Sequence, residues 1–289
     1  MRKLDFTVPE EYDGQRLQNF LRGEIKLSLR LMRSLKRVEN GIGINGEHAR
    51  TVDIVHKGDT VTLNIPYTQG SAKAVSDIDL DIRYEDDDVL VVNKPALLPI
   101  HESHNHQGDT LANAVAAHLK NEGKSPVFRA IGRLDKGTSG LVVCALNQHS
   151  AARLSGNIEK EYIAIPSGRY DGKGTIDAPI YRPDPMKTLR CVDPRGDRAV
   201  THYESVKSSD AASLLKIRLE TGRTHQIRVH FANLGTPLIG DFMYGAQDER
   251  IDRQSLHCAR VRFVQPITGE QIECFAELPE DMQRLADGI

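Results

Sequence analysis

An aspartate lies between two cations in a short, sharply bent segment of this chain. Residues 131–141 read IGRLDKGTSGL, so Asp135 lies close to Arg133 and Lys136. A Gly-Thr-Ser-Gly turn then opens into the apolar run LVVCAL. A carboxylate in such a segment could close a salt-bridged turn, belong to a phosphate-binding loop, or act as a nucleophile at the end of a strand.

Two familiar motifs are missing from this segment. A P-loop needs a longer glycine-rich run that ends in Gly-Lys-Ser/Thr, and the segment has none. A serine nucleophile at Ser139 would need a Gly-x-Ser-x-Gly elbow, which is also missing. On local sequence alone, a structural turn is the commoner explanation for Asp135, and a reactive carboxylate stays open.

A second segment, residues 219–241, combines long polar side chains with the pattern of a short helix. It carries five such residues: Arg223, His225, Gln226, Arg228 and His230. The stretch THQIRVHFANLG predicts a helix that stops at Gly235. Arg223 precedes this helix and could project towards a carboxylate and hold it ionised. The spacing of His225 and His230 suits one helical face poorly, so we expect structural histidines rather than metal ligands.

Two further segments carry candidate residues. The stretch EKEYIAI places Lys160 and Tyr162 at alternate positions of a predicted strand, where they would point to the same face. A tyrosine beside an active carboxylate could stack on a base or relay a proton. Asn93-Lys94-Pro95 ends a predicted buried strand, and three histidines follow it: His101, His104 and His106. No carboxylate or cysteine arrangement completes a zinc site there, so we predict no metal.

The N-terminal part contains a basic helix pattern. Ser28 is a plausible N-cap for a helix of roughly ten residues. Three arginines would lie on one face of it, and four apolar residues on the other: Arg30, Arg33 and Arg37 against Leu31, Met32, Leu35 and Val38. Such a face could bind the phosphate backbone of a nucleic acid, or could simply be solvated.

Composition and pattern favour a globular α+β protein. Hydrophobic residues make up 39% of the chain and charged residues 27%, with a net charge of −2. The four cysteines are scattered, and neither a signal peptide nor a membrane span is indicated, so we expect reduced thiols and a cytoplasmic location. Strand-like runs outnumber helical ones after residue 82, which predicts a mostly antiparallel sheet. We predict a small N-terminal α/β module over residues 1–70, a linker over 71–82 and a larger domain over 83–289.

In chain order, these segments resemble the large-subunit-rRNA family of pseudouridine synthases. The resemblance rests on Asn93-Lys94-Pro95 with His101, Arg133-Leu134-Asp135 with Thr138 to Leu141, Lys160 with Tyr162, Thr221 to His230 with Gly235 and Pro237, and Gly240-Asp241 with Tyr244-Gly245. Residues 12–66 resemble the S-four-type RNA-binding module that such enzymes often carry in front, so the likeness spans nearly the whole chain.

The resemblance implies roles for particular residues. Asp135 would attack the uridine, at the anomeric carbon or at the pyrimidine ring, and Arg223 would ion-pair with it. Tyr162 would pack on the target base and assist proton removal, while Arg133 and Lys94 would contact RNA. The uracil would detach, rotate and re-attach through carbon-5, which involves neither a redox step nor net hydrolysis. We therefore expect no cofactor and no metal, and a target uridine that is flipped out or already unstacked.

The resemblance leaves alternatives open. A non-catalytic RNA-binding or ribosome-assembly protein could share the fold, and some relatives act on tRNA instead of large-subunit rRNA. A glycosidase would need a second carboxylate near Asp135, and the motif has none. Gly132 stands where the family usually has His, and Lys136-Gly137 replaces a commoner pair that includes an acid. These departures bear on RNA contacts more than on chemistry. We expect a monomer that binds RNA and no membrane.

Overall fold

The structure, a computed structural model, describes residues 1–67 and 77–289 of the chain. The N-terminal part contains strands β1 (Arg2–Thr7), β2 (Gln15–Arg16), β3 (Ile42–Ile44), β4 (Glu47–His48), β5 (Ile54–Val55) and β6 (Thr60–Ile65), helices α1 (Leu17–Gly23) and α2 (Leu29–Leu35), and a 3₁₀ turn (Glu10–Tyr12). Four strands form a sheet of order β1-β6-β3-β4, and β2 pairs with β5. All of these pairs are antiparallel.

Helix α2 is the basic helix that the sequence predicts. The Ser28 side chain accepts a hydrogen bond from the Leu31 N–H at 3.2 Å, as an N-cap does. Leu31, Met32 and Leu35 are buried, whereas Arg30 and Arg33 are exposed. The helix has seven residues and is shorter than predicted. It ends early because the N–H groups of residues 37 and 38 bond to carbonyls three residues earlier, which tightens the chain into a turn.

The larger part of the chain follows residue 80. It contains β7 (Asp81–Glu85), β8 (Val89–Lys94), α3 (Leu111–Asn121), β9 (Arg129–Ala130), β10 (Ser139–Ala145), α4 (Gln148–Leu154), β11 (Glu159–Ala164), β12 (Lys173–Asp177), β13 (Ile180–Tyr181), β14 (Cys191–Val192), β15 (Val200–Ser208), β16 (Ser213–Leu219), α5 (Gln226–Asn233), β17 (Leu256–Val264), β18 (Gln271–Phe275) and α6 (Glu280–Asp287).

A ten-stranded sheet organises this part. Its order is β12-β15-β16-β11-β17-β10-β8-β7, with β18 paired to β17 and β9 to β10. The pairing of β10 with β17 is parallel, and the other pairs in the sheet are antiparallel. The predicted α+β class with a mostly antiparallel sheet is therefore confirmed. The runs LVVCAL, AVTHYESV and LLKIRLE lie in β10, β15 and β16.

Gly140 allows the one parallel pairing in this ten-stranded sheet. It has φ +108°, and a Cβ at this position would lie 2.3 Å from the Cys258 carbonyl oxygen. A residue with a side chain at position 140 would not allow β10 to lie so close to β17. The segment that contains Asp135 therefore ends where β10 enters the middle of the sheet.

The buried apolar side chains form separate clusters in the two parts. One cluster is built from residues 4–65, and another from residues 89–276. The two parts touch where Arg2 donates to both carboxylate oxygens of the buried Asp88, at 3.1 and 2.7 Å. Of the predicted linker, residues 71–76 lie outside the described residues, and Asp81 and Ile82 belong to β7. No helix within residues 1–67 and 77–289 has both the length and the apolar character needed to cross a membrane.

Candidate active site

Asp135 lies in the turn that leads into β10. The Thr138 N–H bonds to the Asp135 carbonyl at 3.0 Å and closes this turn. The carboxylate is 27% exposed and borders a cavity of about 60 Å³. Two segments distant in sequence contribute to the same cavity, one through Tyr162 and the other through Arg223, His225 and Arg228. The structure therefore brings together the three residues predicted as catalytic, and adds two others.

Arg228 is the ion-pair partner of Asp135. Its Nη1 donates to Asp135 Oδ2 at 2.9 Å. Its Nε and Nη2 donate to the two oxygens of the buried Asp241, at 2.7 and 2.8 Å. Burial lowers the pKa of Arg228, but Asp241 and Asp135 outweigh this effect, so the pKa is raised above its ordinary value. Asp135 therefore faces a guanidinium that stays charged and is fixed by a second carboxylate.

An ion pair between Arg223 and Asp135 was expected, but Arg223 has other partners in this structure. The Arg223 Nε donates to the Arg198 carbonyl at 3.1 Å, and its Nη1 lies 3.6 Å from Asp197. The side chain is 43% exposed. The turn before α5, where the Arg223 N–H bonds to Gln226 Oε1 at 3.0 Å, directs the side chain towards the residues that precede β15. Arg223 stays at the edge of the cavity.

Lys94 is not an RNA-binding residue in this structure, contrary to expectation. It is the last residue of β8 and is 0% exposed. Its Nζ donates to the Pro95 carbonyl at 2.8 Å and to the Lys136 carbonyl at 3.2 Å. Burial lowers the pKa of Lys94 to about 7, with a further lowering from Arg253 and an opposite contribution from Asp135. Lys94 therefore supports the turn beneath Asp135 and has no surface to offer to RNA.

Tyr162 forms a buried wall of the cavity. It lies in β11 and is 7% exposed. Burial raises its pKa well above the ordinary value, and Cys258 and Asp135 add to this effect. The hydroxyl therefore stays protonated near neutral pH. Lys160, in the same strand, donates from Nζ to the Ile131 carbonyl at 3.3 Å and shares a larger cavity with Tyr162.

His225 belongs to the site, although its spacing from His230 suggested a purely structural residue. It precedes α5 with φ +59°, a region that residues with a side chain seldom adopt. Its Nε2 lies 3.8 Å from Asp135 Oδ2, and its Nδ1 lies 2.7 Å from the Tyr244 hydroxyl. That hydroxyl accepts from the Arg190 N–H at 3.0 Å, so its own proton is available to His225 Nδ1. Burial lowers the pKa of His225, which favours the neutral ring.

Tyr244 also stacks against the charged partner of Asp135. The Arg228 guanidinium carbon lies 5.0 Å from the centre of the Tyr244 ring. The sequence offered no sign that Arg228 and Asp241, thirteen positions apart, form an ion pair. It offered no signal for the orientation of either side chain. His230 does have a structural role, because its ring bonds to Thr201 Oγ1 and to the Ala178 carbonyl, each at 2.9 Å.

Arg133 and Gly132 border the larger cavity beside the site. This cavity has a volume of about 820 Å³ and includes Arg133, Lys160 and Tyr162 in its lining. Arg133 is exposed. Gly132 has φ +76°, and a Cβ there would lie 3.1 Å from Lys160 Nζ. Glycine at position 132 therefore suits both the backbone conformation and the close approach of the lysine.

The histidines after β8 do not gather around a common point. His104 Nδ1 lies 3.1 Å from Asn105 Oδ1, and His106 Nδ1 lies 2.7 Å from Asp109 Oδ2. Among the residues that the structure describes, no group of three or more His, Cys, Asp or Glu side chains is arranged to hold a metal ion.

Comparison with known proteins identifies the family. Residues 88–233 match the RNA pseudouridylate synthase family. The chain is 38% identical over 292 residues to a Bacillus subtilis protein named uncharacterized RNA pseudouridine synthase YhcT, covering 98% of this chain and 96% of that one. It is 36% identical over 309 residues to ribosomal large subunit pseudouridine synthase D of Vibrio parahaemolyticus, covering 99% and 94%.

A solved structure agrees with these relatives. Human RNA pseudouridylate synthase domain containing 1 superposes with a TM-score of 0.55 at 26% identity, covering 73% of this chain and 94% of that one. The family match extends from the start of β8 to the end of α5, which includes Asp135, Tyr162 and Arg228. The chain belongs to the RNA pseudouridylate synthase family.

Proposed function

We propose that this protein converts uridine to pseudouridine in large-subunit ribosomal RNA, with Asp135 as the nucleophile. The observation that carries the proposal is the contact between Asp135 and Arg228. A partly exposed carboxylate is held at 2.9 Å by a buried arginine that Asp241 fixes in turn. The name of the Vibrio relative supports ribosomal RNA as the substrate.

The proposed reaction needs a carboxylate that is ionised and fixed in position. A carboxylate oxygen of Asp135 bonds to the uridine, at the anomeric carbon or at the pyrimidine ring, and the bond between N1 and the anomeric carbon breaks. The freed uracil rotates and bonds to the anomeric carbon through carbon-5. The carbon-5 proton leaves, N1 gains a proton and the carboxylate is released, so atoms and electrons balance without an external reagent.

Each neighbour of Asp135 has a separate task in this proposal. Arg228 holds Oδ2 by a charge-assisted hydrogen bond. Tyr162 supplies a neutral aromatic wall for the uracil ring. His225, held through Tyr244, lies near enough to Asp135 to orient the carboxylate or a carbonyl of the base. Arg133 and Arg223 lie at the exposed edge, where they would contact the RNA strand.

We further propose that residues 1–70 form an RNA-binding module joined by the segment 71–82 to a catalytic domain over 83–289. The separate apolar clusters support this division. The exposed side chains of Arg30, Arg33 and Arg37 would bind phosphates without reading bases. We propose that the protein acts as a monomer in the cytoplasm, which gel filtration with light scattering and cell fractionation would test.

The test compares total RNA from a strain that lacks the protein with RNA from the parent strain. We expect the loss of pseudouridine at one or a few positions of large-subunit rRNA. Expression of the intact chain should restore them, and expression of Asp135→Asn should not. Loss confined to tRNA would replace the proposed substrate. If pseudouridine is unchanged everywhere, the protein acts as the non-catalytic RNA-binding alternative.

A further inference from the structure

The turn that carries Asp135 is held from beneath at three consecutive residues. Three buried side chains donate to it: Lys94 Nζ to the Lys136 carbonyl at 3.2 Å, Arg253 Nη1 to the Gly137 carbonyl at 3.2 Å, and Gln254 Nε2 to Thr138 Oγ1 at 3.1 Å. Each of these bonds comes from a residue in or next to a strand of the central sheet. The turn therefore cannot shift without breaking at least one of them.

Arg253 has the most connections of the three. It is 1% exposed, and its Nη1 also lies 3.3 Å from the carbonyls of Gln254 and Leu256. Its Nε and Nη2 donate to the two oxygens of Asp281, at 2.7 and 2.8 Å. Burial raises the pKa of Asp281, but the hydrogen bond and charge of Arg253 outweigh burial, so the pKa is lowered. Asp281 therefore fixes the guanidinium plane, as Asp241 fixes that of Arg228.

Asp281 connects the turn to helix α6. The helix is anchored by Met282, Leu285 and Ala286, which pack in an apolar cluster with Ile239 and Ile251. Asp281 lies in the first turn of the helix, where a carboxylate is favoured. A continuous connection thus runs from the apolar cluster through Asp281 and Arg253 to the Gly137 carbonyl.

The fit between Arg253, Gln254 and the turn is close. A Cβ at Gly137 would lie 2.5 Å from Gln254 Oε1. No side chain at position 137 would fit between the turn and Gln254. A misplacement of about 1 Å at a reacting group can cost on the order of 100-fold in rate. The Asp135 carboxylate must also stay at 2.9 Å from Arg228, which belongs to a different element.

We propose that Arg253 is a positioning residue for Asp135, and that helix α6 acts through Asp281 to keep the guanidinium of Arg253 under the Gly137 carbonyl. The inference rests on the proposed function, in which Asp135 is the nucleophile. Its consequence is that residues more than a hundred positions away from Asp135 set the rate of the chemical step. Arg253 contributes nothing to RNA affinity, because it is buried.

The test compares Arg253→Met with Arg284→Met. Methionine keeps the apolar stem of Arg253 and removes its donors. Arg284 lies on α6, the helix that carries Asp281, in an exposed ion pair with Glu280. We expect Arg253→Met to lower the single-turnover rate by about 30- to 100-fold with an unchanged dissociation constant for RNA. Arg284→Met should change neither quantity. Asp281→Asn, which leaves Arg253 in place, should lower the rate by a smaller factor of about 5.

A second measurement does not depend on activity. The Thr138 N–H closes the turn on the Asp135 carbonyl, so its hydrogen exchange should be faster in Arg253→Met and unchanged in Arg284→Met. If Arg253→Met does not fold, Asp281→Asn is tested by the same two measurements. A folded Arg253→Met or Asp281→Asn with parental rate and parental exchange at Thr138 overturns the inference. If the parent protein forms no pseudouridine, the proposed function fails, and exchange at Thr138 still decides whether Arg253 fixes the turn.

Discussion

At the scale of single residues, the Asp135 carboxylate depends on an arginine whose other donors are already committed. Arg228 donates a hydrogen bond from Nη1 to Asp135 and hydrogen bonds from Nε and Nη2 to Asp241. Because Asp241 is buried, Arg228 can neither swing away nor lose its charge without leaving a carboxylate unpaired in the interior. Arg223, by contrast, bonds to a backbone carbonyl and is partly exposed. Two arginines five positions apart therefore have different tasks.

The different tasks predict different effects of the same change. Arg228→Lys keeps the positive charge but loses the planar fork, so it cannot hold Asp135 and Asp241 together. We expect the single-turnover rate to fall by about 100-fold or more. Arg223→Lys should leave that rate within about 3-fold and weaken RNA binding at most modestly. Single-turnover rates and RNA-binding isotherms, measured in parallel for both variants, distinguish an effect on chemistry from an effect on binding. Equal losses of rate in the two variants would return the ion-pair role to Arg223.

The lowered pKa of the buried Lys94 predicts that the stability of the protein depends on pH. Its pKa is about 7 in the folded protein because it is buried, and about 10.4 in an unfolded chain. The unfolded chain therefore binds more protons between these values, so stability is lost as pH falls from about 10 to about 7. The free energy of unfolding should thus rise from pH 7 to pH 9 more steeply for the parent than for Lys94→Met. Urea unfolding at pH 6, 7, 8 and 9 measures this, with the exposed Lys36→Met as the control. Parallel curves for the parent and Lys94→Met would contradict the assignment.

At the scale of elements, the site depends on where β10 begins. The strand starts at Ser139, directly after the turn, and pairs in parallel with β17 at Gly140. This pairing brings Gln254 and Arg253, which precede β17, under the turn. The start of the strand therefore fixes both Asp135 and its support.

Gly140→Ala tests this dependence. Gly140 has φ +108°, and a Cβ there would lie 2.3 Å from the Cys258 carbonyl oxygen. We therefore expect Gly140→Ala to lose about 3 kcal/mol or more in the free energy of unfolding. The control is Gly172→Ala, where φ is +66° but nothing lies within 4 Å. We expect about 1 kcal/mol there. Urea unfolding measures both, and similar losses would show that the close approach to β17 is not the cause.

Sequence patterns predicted the elements better than the contacts between them. The stretch THQIRVHFANLG indicated a helix that stops at Gly235, and α5 spans Gln226–Asn233 with Gly235 at φ +78°. Periodicity and turn residues carry that information locally. The contact between Asp135 and Arg228 joins residues 93 positions apart. Its geometry depends on how α5 packs over the sheet, which no local pattern encodes. For the same reason the segment RQSLH gave no sign that Arg253 and Gln254 support the turn.

At the scale of the whole molecule, a basic helix and the site lie in two parts, each with its own cluster of buried apolar residues. Arg2 and Asp88 join them through two part-buried hydrogen bonds. The exposed arginines near α2 are remote in sequence from Asp135 and make no contribution to its cavity. Their proposed role is affinity for the phosphate backbone, so a change there should alter binding and leave chemistry intact.

Replacing Arg30, Arg33 and Arg37 together by Gln tests this division of labour. Each phosphate contact that is lost should make the negative slope of log association constant against log salt shallower by about 0.7 to 0.9. The slope should therefore become shallower by about 2 in the triple variant. The single-turnover rate at saturating protein should stay within about 2-fold. A control triple replacement of exposed cations in the larger part, Lys173, Arg250 and Arg284 by Gln, should leave the slope unchanged. An unchanged slope in the first variant would assign the basic face to solvent.

The role of Asp135 as nucleophile is tested most directly by its amide replacement. Asp135→Asn keeps the size of the side chain and a hydrogen-bond acceptor for Arg228, but it removes the ionised carboxylate. The measurement is the pseudouridine formed in a large-subunit rRNA transcript under single-turnover conditions, together with the dissociation constant for the same RNA. We predict a rate lower by about 10⁴-fold or more and a dissociation constant close to that of the parent. Pseudouridine formation by Asp135→Asn at the parental rate would contradict the proposed chemistry.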